Sequence, residues 1–268
     1  MTVEAHLAAL RRRSDQLAHD VAGLTPTEWT RESNCPPWLV QDLAAHIVTS
    51  GRGFIRSIER GLAGVVDPPS RGADDFSGAD PPTVASALNG VTDRFEALYD
   101  GLTEAQLETV CWHRRGNRSV RWYAAHRLAE VAFHGWDLET SLGRSPHFDS
   151  AIARLLLPTL LESNVPRTYA AGLTAERGQG ERFLLRVADE PSRAWLITIN
   201  PDVLETTPIV TTEGDGNEIP ARGGGLAITA SAGDLALLVY GRADLRSVAD
   251  LDGDAALVDR FAQVFPRP

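Results

Sequence analysis

The chain has 268 residues, 43% of them hydrophobic and 23% charged, ordinary figures for a globular protein of one large or two smaller domains. A net charge of −10 opposes non-specific binding to nucleic acid. Two cysteines, Cys35 and Cys111, cannot build a disulfide framework, so a reducing cytoplasm is the expected setting. All 26 basic residues are arginine; with no lysine in the chain, Schiff-base chemistry and a phosphate-cradling P-loop are both excluded.

Residues 3–24 place Leu7, Leu10, Leu17, Val21 and Leu24 at helical spacing. Acids and arginines interrupt that pattern, so it does not resemble a secretory signal, and no later stretch approaches the ~18 apolar residues that span a bilayer. "GLTPTEW" breaks the first helix, and after the turn at Pro36 and Pro37 the pattern predicts a second over about Trp38–Leu62. Residues 64–82, rich in Pro, Gly, Asp and Ser, read as loop. A third helix is expected from about Thr83 to Leu102, carrying Val84, Leu88, Val91, Phe95 and Leu98. "WHRRGNR" (112–118) reads as a second loop, and a fourth helix follows over about Val120–Leu142. Four amphipathic helices with irregular connections predict a four-helix bundle.

The character changes after "GRSPHF". A helix over about Ser150–Ser163 leads into strand-like segments at 182–189, 195–200 and 226–231, then a short helix in "AGDLALLVYGR" and a terminal one in "DAALVDRFAQVF". The fold class is α+β: a helical bundle over 1–146 and a smaller α+β domain over 147–268.

The chemistry concentrates in "HRLAEVAFHGWDL" (126–138). Glu130 and His134 stand one turn apart, about 6 Å along a helix axis, so both can reach one metal ion. His126 also stands four residues from Glu130, and spacing does not choose between the two pairs. The two histidines lie about 12 Å apart along the axis, too far to share a metal. The second helix offers His46 as a third ligand from another element. Two histidines and a glutamate form a ligand set known from catalytic zinc sites with open positions, and nickel, iron and manganese accept the same set. The competing reading is a set of hydrogen-bonded histidines at the edge of a core. Asp137, seven residues from Glu130, could orient a ligand, cap the helix or pair with Arg127. Trp38 and Trp136 read as core residues or pocket walls, and Arg52 faces either a cavity or solvent. Cys35 sits in a Pro-Pro turn and Cys111 beside Trp112; neither reads as a nucleophile.

"LTPTEW…SNCPPWLVQDLAAHI", followed by "HRLAEVAFHGWDL", resembles the mycothiol-dependent maleylpyruvate isomerase family, within the DinB-like four-helix metalloproteins. The resemblance rests on Cys35, Pro36, Trp38, Asp42, His46, Arg127, Glu130, His134, Asp137 and Leu138. It implies a divalent metal, usually zinc, on His46, Glu130 and His134, with His126 outside the ligand set. "ITASAGDLALLVYGR" resembles the small C-terminal domain of the same family, which is also similar to sterol-carrier domains. There the resemblance implies that Arg242 faces the active site and pairs with a substrate carboxylate. It further implies mycothiol, or a similar small thiol, as cosubstrate, and cis–trans isomerisation or S-transfer on an electrophilic, carboxylate-bearing molecule. A monomer or homodimer without nucleic-acid or membrane partners is expected. Two rivals are a carrier of apolar small molecules and a metal-dependent hydrolase; the second needs a general base that the sequence does not supply.

Overall fold

The computed structural model describes residues 2–70, 76, 78–172, 176–190, 192–210 and 224–265. The chain divides into two compact units, Met1–His147 and Phe148–Pro268.

Four long helices build the first unit: α1 (Val3–Ala22), α3 (Val40–Leu62), α4 (Pro81–Ala97) and α6 (Val120–Ser141). Both α1 and α3 pack against α4 and against α6. Local signals set where they start. The Leu39 backbone N–H donates to Asp42 Oδ2 at 2.9 Å, which opens α3 one turn before His46. Ser119 Oγ accepts from the Trp122 N–H at 3.3 Å and opens α6. Asp80 caps α4, which starts at Pro81, two residues ahead of the expected start, with Pro81 and Pro82 in the first turn, where a missing N–H costs nothing.

α6 is buried on several sides, through Tyr123, Leu128, Val131, Phe133 and Leu138, because it meets both α1 and α3. Leu10, Leu17, Leu43, Ile47, Ile58 and Phe95 complete the core. The third helix ends at Ala97 rather than Leu102. Two short helices escape the periodicity argument: α2 (Pro26–Trp29) and α5 (Glu104–Leu107). Each is opened by a capping box, Thr25 with Glu28 and Thr103 with Gln106, so their signal is four residues long and not periodic. The 112–118 loop is the tip of a hairpin in which β1 (Val110–Cys111) pairs antiparallel with β2 (Arg118–Ser119).

In the second unit, α7 (Ser150–Thr159) runs through a π-helical turn, Leu160–Asn164, into α8 (Val165–Ala170). The helical run therefore passes the expected stop at Ser163. Pro166 falls in the first turn of α8, and the wider π turn accommodates the break in the hydrogen-bond ladder. Among the described residues, five strands form one sheet in the order β5 (Leu204–Val210), β4 (Arg193–Ile199), β3 (Glu181–Val187), β6 (Leu226–Ala230), β7 (Asp250–Gly253). β3 and β6 are parallel, pairing Phe183 with Leu226 and Leu185 with Ile228; the other pairs are antiparallel. The edge strands β5 and β7 are the two that hydrophobic patterning misses. β5 is mostly exposed and contains Pro208, which suits an edge, and β7 is the acid-rich "DLDG". Helices Ala232–Val239 and Ala256–Val264 follow the expected short and terminal helices. Among the described residues no helix is long and apolar enough to cross a membrane.

Candidate metal centre

Three side chains from α3 and α6 converge. His46 Nε2 lies 3.3 Å from Glu130 Oε2, and His134 Nε2 lies 3.9 Å from the same oxygen. One donor atom from each residue falls within 4.8 Å of the other two. Two ligands held ~2.0–2.1 Å from a tetrahedral metal lie ~3.4 Å apart, so the donor set and its spacing fit a divalent ion of the zinc type. The His46 and His134 rings meet edge to face, with centroids 5.0 Å apart. The Trp38 ring packs beside His46, with centroids 4.7 Å apart. All three donors are half-buried, with side-chain exposures of 30% for His46, 22% for Glu130 and 16% for His134. The cluster is thus held by the core yet reachable from solvent.

The electrostatics favour a metal ligand over a neutral acid. Burial raises the Glu130 carboxyl's proton affinity, but the hydrogen bond from His46 and the surrounding imidazoles overcome it. The carboxyl is held well below the usual carboxylate range. An ionised carboxylate beside two imidazole nitrogens is what a divalent cation needs.

His126 does not join this group. Its Nε2 lies 3.8 Å from Oε1, the other oxygen of Glu130, and its ring stacks on Trp122 with centroids 4.2 Å apart. Phe54 and His113 complete its surroundings at 5.0 and 5.4 Å. Burial, with the charges of Arg114, Arg115 and Arg127 adding and Glu130 opposing, pushes its imidazole down to about 4.

Asp137 holds the His134 ring. Its Oδ2 lies 3.0 Å from His134 Nδ1, and the carboxylate is 1% exposed. An acceptor-only carboxylate there sets the proton on Nδ1 and turns the Nε2 lone pair toward Glu130 and His46. The alternative pairing with Arg127 does not form. Arg127, fully buried, donates from Nη1 to the Ile47 carbonyl at 2.7 Å, and burial lowers its guanidinium to about 10. It thereby ties α6 to α3 next to His46. Gly51 makes room for it: a Cβ there would sit 2.8 Å from Arg127 Cζ and 2.6 Å from Val91 Cγ1.

Two neighbours of the site escape the sequence reading. Cys35 Sγ donates to Asp137 Oδ2 at 3.2 Å, and Asn34 Nδ2 donates to Asp137 Oδ1 at 3.2 Å. The "SNCPPW" turn is about a hundred residues from Asp137, and no local pattern announces that contact.

The remaining candidates fall elsewhere. Arg52 lies over the Phe76 ring at 5.0 Å and lines a cavity of about 290 Å³ between α3 and α4, with Ile55, Arg56, Val91 and Arg94. Trp136 donates from Nε1 to the Pro146 carbonyl at 2.9 Å. In the basic hairpin, the Arg118 guanidinium covers Trp122 at 5.2 Å and donates to the Arg115 carbonyl at 3.0 Å. Cys111 is buried, and burial pushes its thiol up to about 11, the opposite of an activated nucleophile. In the second unit, Arg242 follows helix Ala232–Val239. Its Nη1 donates to the Tyr240 carbonyl at 3.3 Å and its guanidinium lies over the Tyr240 ring at 5.6 Å.

Comparison with known proteins finds a family model and solved structures to which the chain is similar. Residues 10–139 match the model of the mycothiol maleylpyruvate isomerase N-terminal domain. The crystal structure of the mycothiol-dependent maleylpyruvate isomerase is similar to the chain with a TM-score of 0.64 at 14% identity, covering 100% of this chain and 97% of that one. A histidine-to-alanine mutant of that isomerase gives 0.62, with the same identity and coverage. At 14% identity these two structures show a shared fold: an N-terminal helical domain and a C-terminal sheet domain. No protein of curated function matches the chain in sequence. The likeness in sequence therefore lies in the helical unit: residues 10–139 are similar to the mycothiol maleylpyruvate isomerase N-terminal domain.

Proposed function

We propose that this protein is a divalent-metal-dependent enzyme that uses mycothiol, or a similar small thiol, to isomerise an electrophilic, carboxylate-bearing small molecule. The observation that carries the reading is the convergence of His46 Nε2, Glu130 Oε2 and His134 Nε2 in a half-buried, reachable cluster. The family and the solved isomerases of the same fold support the thiol and the reaction type.

A metal at this cluster, zinc being the expected ion, lowers the pKa of a bound thiol and supplies a thiolate at neutral pH. The chain's own residues then have separable tasks. Glu130 contributes the one negative charge of the ligand set, and His46 and His134 contribute neutral nitrogens. Asp137 holds the His134 proton on Nδ1. Trp38 packs beside the His46 ring, its centroid 4.7 Å away, and limits the ring's freedom to turn. Arg242 is assigned the substrate carboxylate, for which a guanidinium offers a two-pronged match.

The reaction balances without any external reagent. The cosubstrate's sulfur forms a bond to one alkene carbon, and the π pair moves onto the conjugated carbonyl. The former double bond rotates as a single bond. The pair then returns, the same C–S bond breaks, and the thiol is released unchanged with the trans product. S-transfer uses the same first step and differs in which bond breaks next, so the pocket decides between the two.

The test begins with metal content by elemental analysis of protein purified without chelator or metal-affinity resin. Near-stoichiometric metal in the wild type, lost in His46→Ala, Glu130→Ala and His134→Ala, is the expected result. The metal-loaded wild type is then assayed on maleylpyruvate with and without mycothiol. Thiol-dependent trans product supports the isomerase; a stable thioether product would convert the reading to S-transfer. Turnover without any thiol would sink both.

A further inference from the structure

Cys35 is used neither as a ligand nor in the proposed reaction, yet it is built into the site. Its Sγ lies 3.2 Å from Asp137 Oδ2, the oxygen that sits 3.0 Å from His134 Nδ1. Sγ is 4.0 Å from that ring nitrogen. A carboxylate oxygen has two lone pairs, so Oδ2 can accept from both donors. The rest of the turn is laced to the same stretch of α6. Asn34 donates its side-chain amide to Asp137 Oδ1 at 3.2 Å and its backbone N–H to Ser141 Oγ at 2.8 Å. The Cys35 backbone N–H is held by Ser33 Oγ at 3.1 Å. With Asp137 only 1% exposed, water is a poor substitute for any donor removed from it.

We infer that Cys35 is a positioning residue of the metal centre: its thiol donates to Asp137, which keeps the carboxylate against His134 Nδ1 and so aims His134 Nε2 at Glu130 and His46. The inference rests on those three residues being the metal ligands. The competing assignment makes Cys35, His134 Nδ1 and Asp137 ligands themselves, since their donor atoms also lie within 4.8 Å of one another. The distances favour positioning. Separations of 3.0 Å (Nδ1 to Oδ2) and 3.2 Å (Sγ to Oδ2) are hydrogen-bond lengths. A metal there would also require His134 to serve two ions through opposite nitrogens.

The experiment compares wild type, Cys35→Ala and Cys35→Ser as full-length protein. Zinc affinity is measured by competition with a chromophoric chelator, and the visible spectrum is recorded after loading with equimolar Co(II). Cys35→Ala is expected to bind zinc about 3–10-fold more weakly, at or below the low end of the effect of outer-shell partners. Its cobalt d–d bands shift, while Cys35→Ser, whose hydroxyl can donate to the same oxygen, stays within about 2-fold of wild type. Thermal unfolding of the metal-free variants checks that both are folded. A thiolate-to-cobalt charge-transfer band in wild type that vanishes in Cys35→Ser would make Cys35 a ligand and overturn the inference. So would Cys35→Ala with unchanged affinity and bands, or Cys35→Ser as weak as Cys35→Ala. Wild type that binds neither zinc nor cobalt defeats the metal reading itself, a result distinct from any of these.

Discussion

α6 carries two histidines at the same distance from Glu130, one four residues before it and one four residues after. His134 faces Oε2 in the company of His46 and Asp137. His126 faces Oε1 among Trp122, Phe54 and His113. One environment supplies a second imidazole and an orienting carboxylate. The other supplies aromatic faces and a low-dielectric wall that holds the imidazole at about 4. Identical spacing on one helix therefore yields one candidate ligand and one packed histidine. The element packed against each turn of α6 decides which is which.

The strongest way to break this comparison is to exchange the consequences. Glu130→Gln and His134→Ala should each weaken zinc binding by more than about 100-fold, beyond the range seen for outer-shell partners, while His126→Ala keeps near-stoichiometric metal. Chelator competition on the three variants decides it. Equal losses in His126→Ala and His134→Ala would mean that both histidines belong to the centre.

His126 makes a prediction of its own, in pH. Its folded-state value of about 4 lies below the ordinary 6.5, so the unfolded chain takes up this proton first. The stability it contributes is complete above about pH 6.5 and is lost as pH falls through 4. At 1.36 kcal/mol per unit the ceiling is about 3 kcal/mol, reduced somewhat by the ring's residual exposure. His126→Phe has no such proton to gain. Urea unfolding at pH 7 and pH 4 should show wild type losing about 2–3 kcal/mol more than the variant. An identical loss in both would show that the ring is solvated rather than walled in.

Next in size is Asp137→Asn. The amide cannot hold the His134 proton as a carboxylate does, and zinc affinity should fall about 10–100-fold, with His46 and Glu130 still in place. Isothermal titration of zinc into the metal-free protein reads this directly. An unchanged affinity would leave the carboxylate with a purely structural role.

The sequence carried the helices of the bundle because each buries a stripe at helical spacing, and it carried Glu130 and His134 because one turn separates them. His46 was reachable as the polar residue beside the apolar face of α3. What spacing could not decide was the choice between His126 and His134, since that depends on α3 lying against one turn of α6; the family resemblance carried that choice. The contact of Cys35 and Asn34 with Asp137 was invisible for the same reason: both sides look ordinary until the "SNCPPW" turn lands on α6. In the sheet unit, β5 and β7 were missed because edge strands keep little apolar alternation. α2 and α5 were legible in principle, through Thr25 with Glu28 and Thr103 with Gln106.

The smallest effect separates the helix from its site. Ser119 caps α6 through the Trp122 N–H. Ser119→Ala removes that acceptor and should lower stability by about 1 kcal/mol. The lesion lies more than two turns before Glu130, so the ligand geometry, fixed by α3 packing and by Asp137, should persist. Urea unfolding should show the loss, while zinc affinity stays within about 2-fold, because a cap shifts the folding equilibrium without changing donor positions in the folded state. If affinity fell in step with stability, the centre would depend on the integrity of the whole helix rather than on its contacts around one turn. The contrast between the two histidines would then reflect their distance from the helix start.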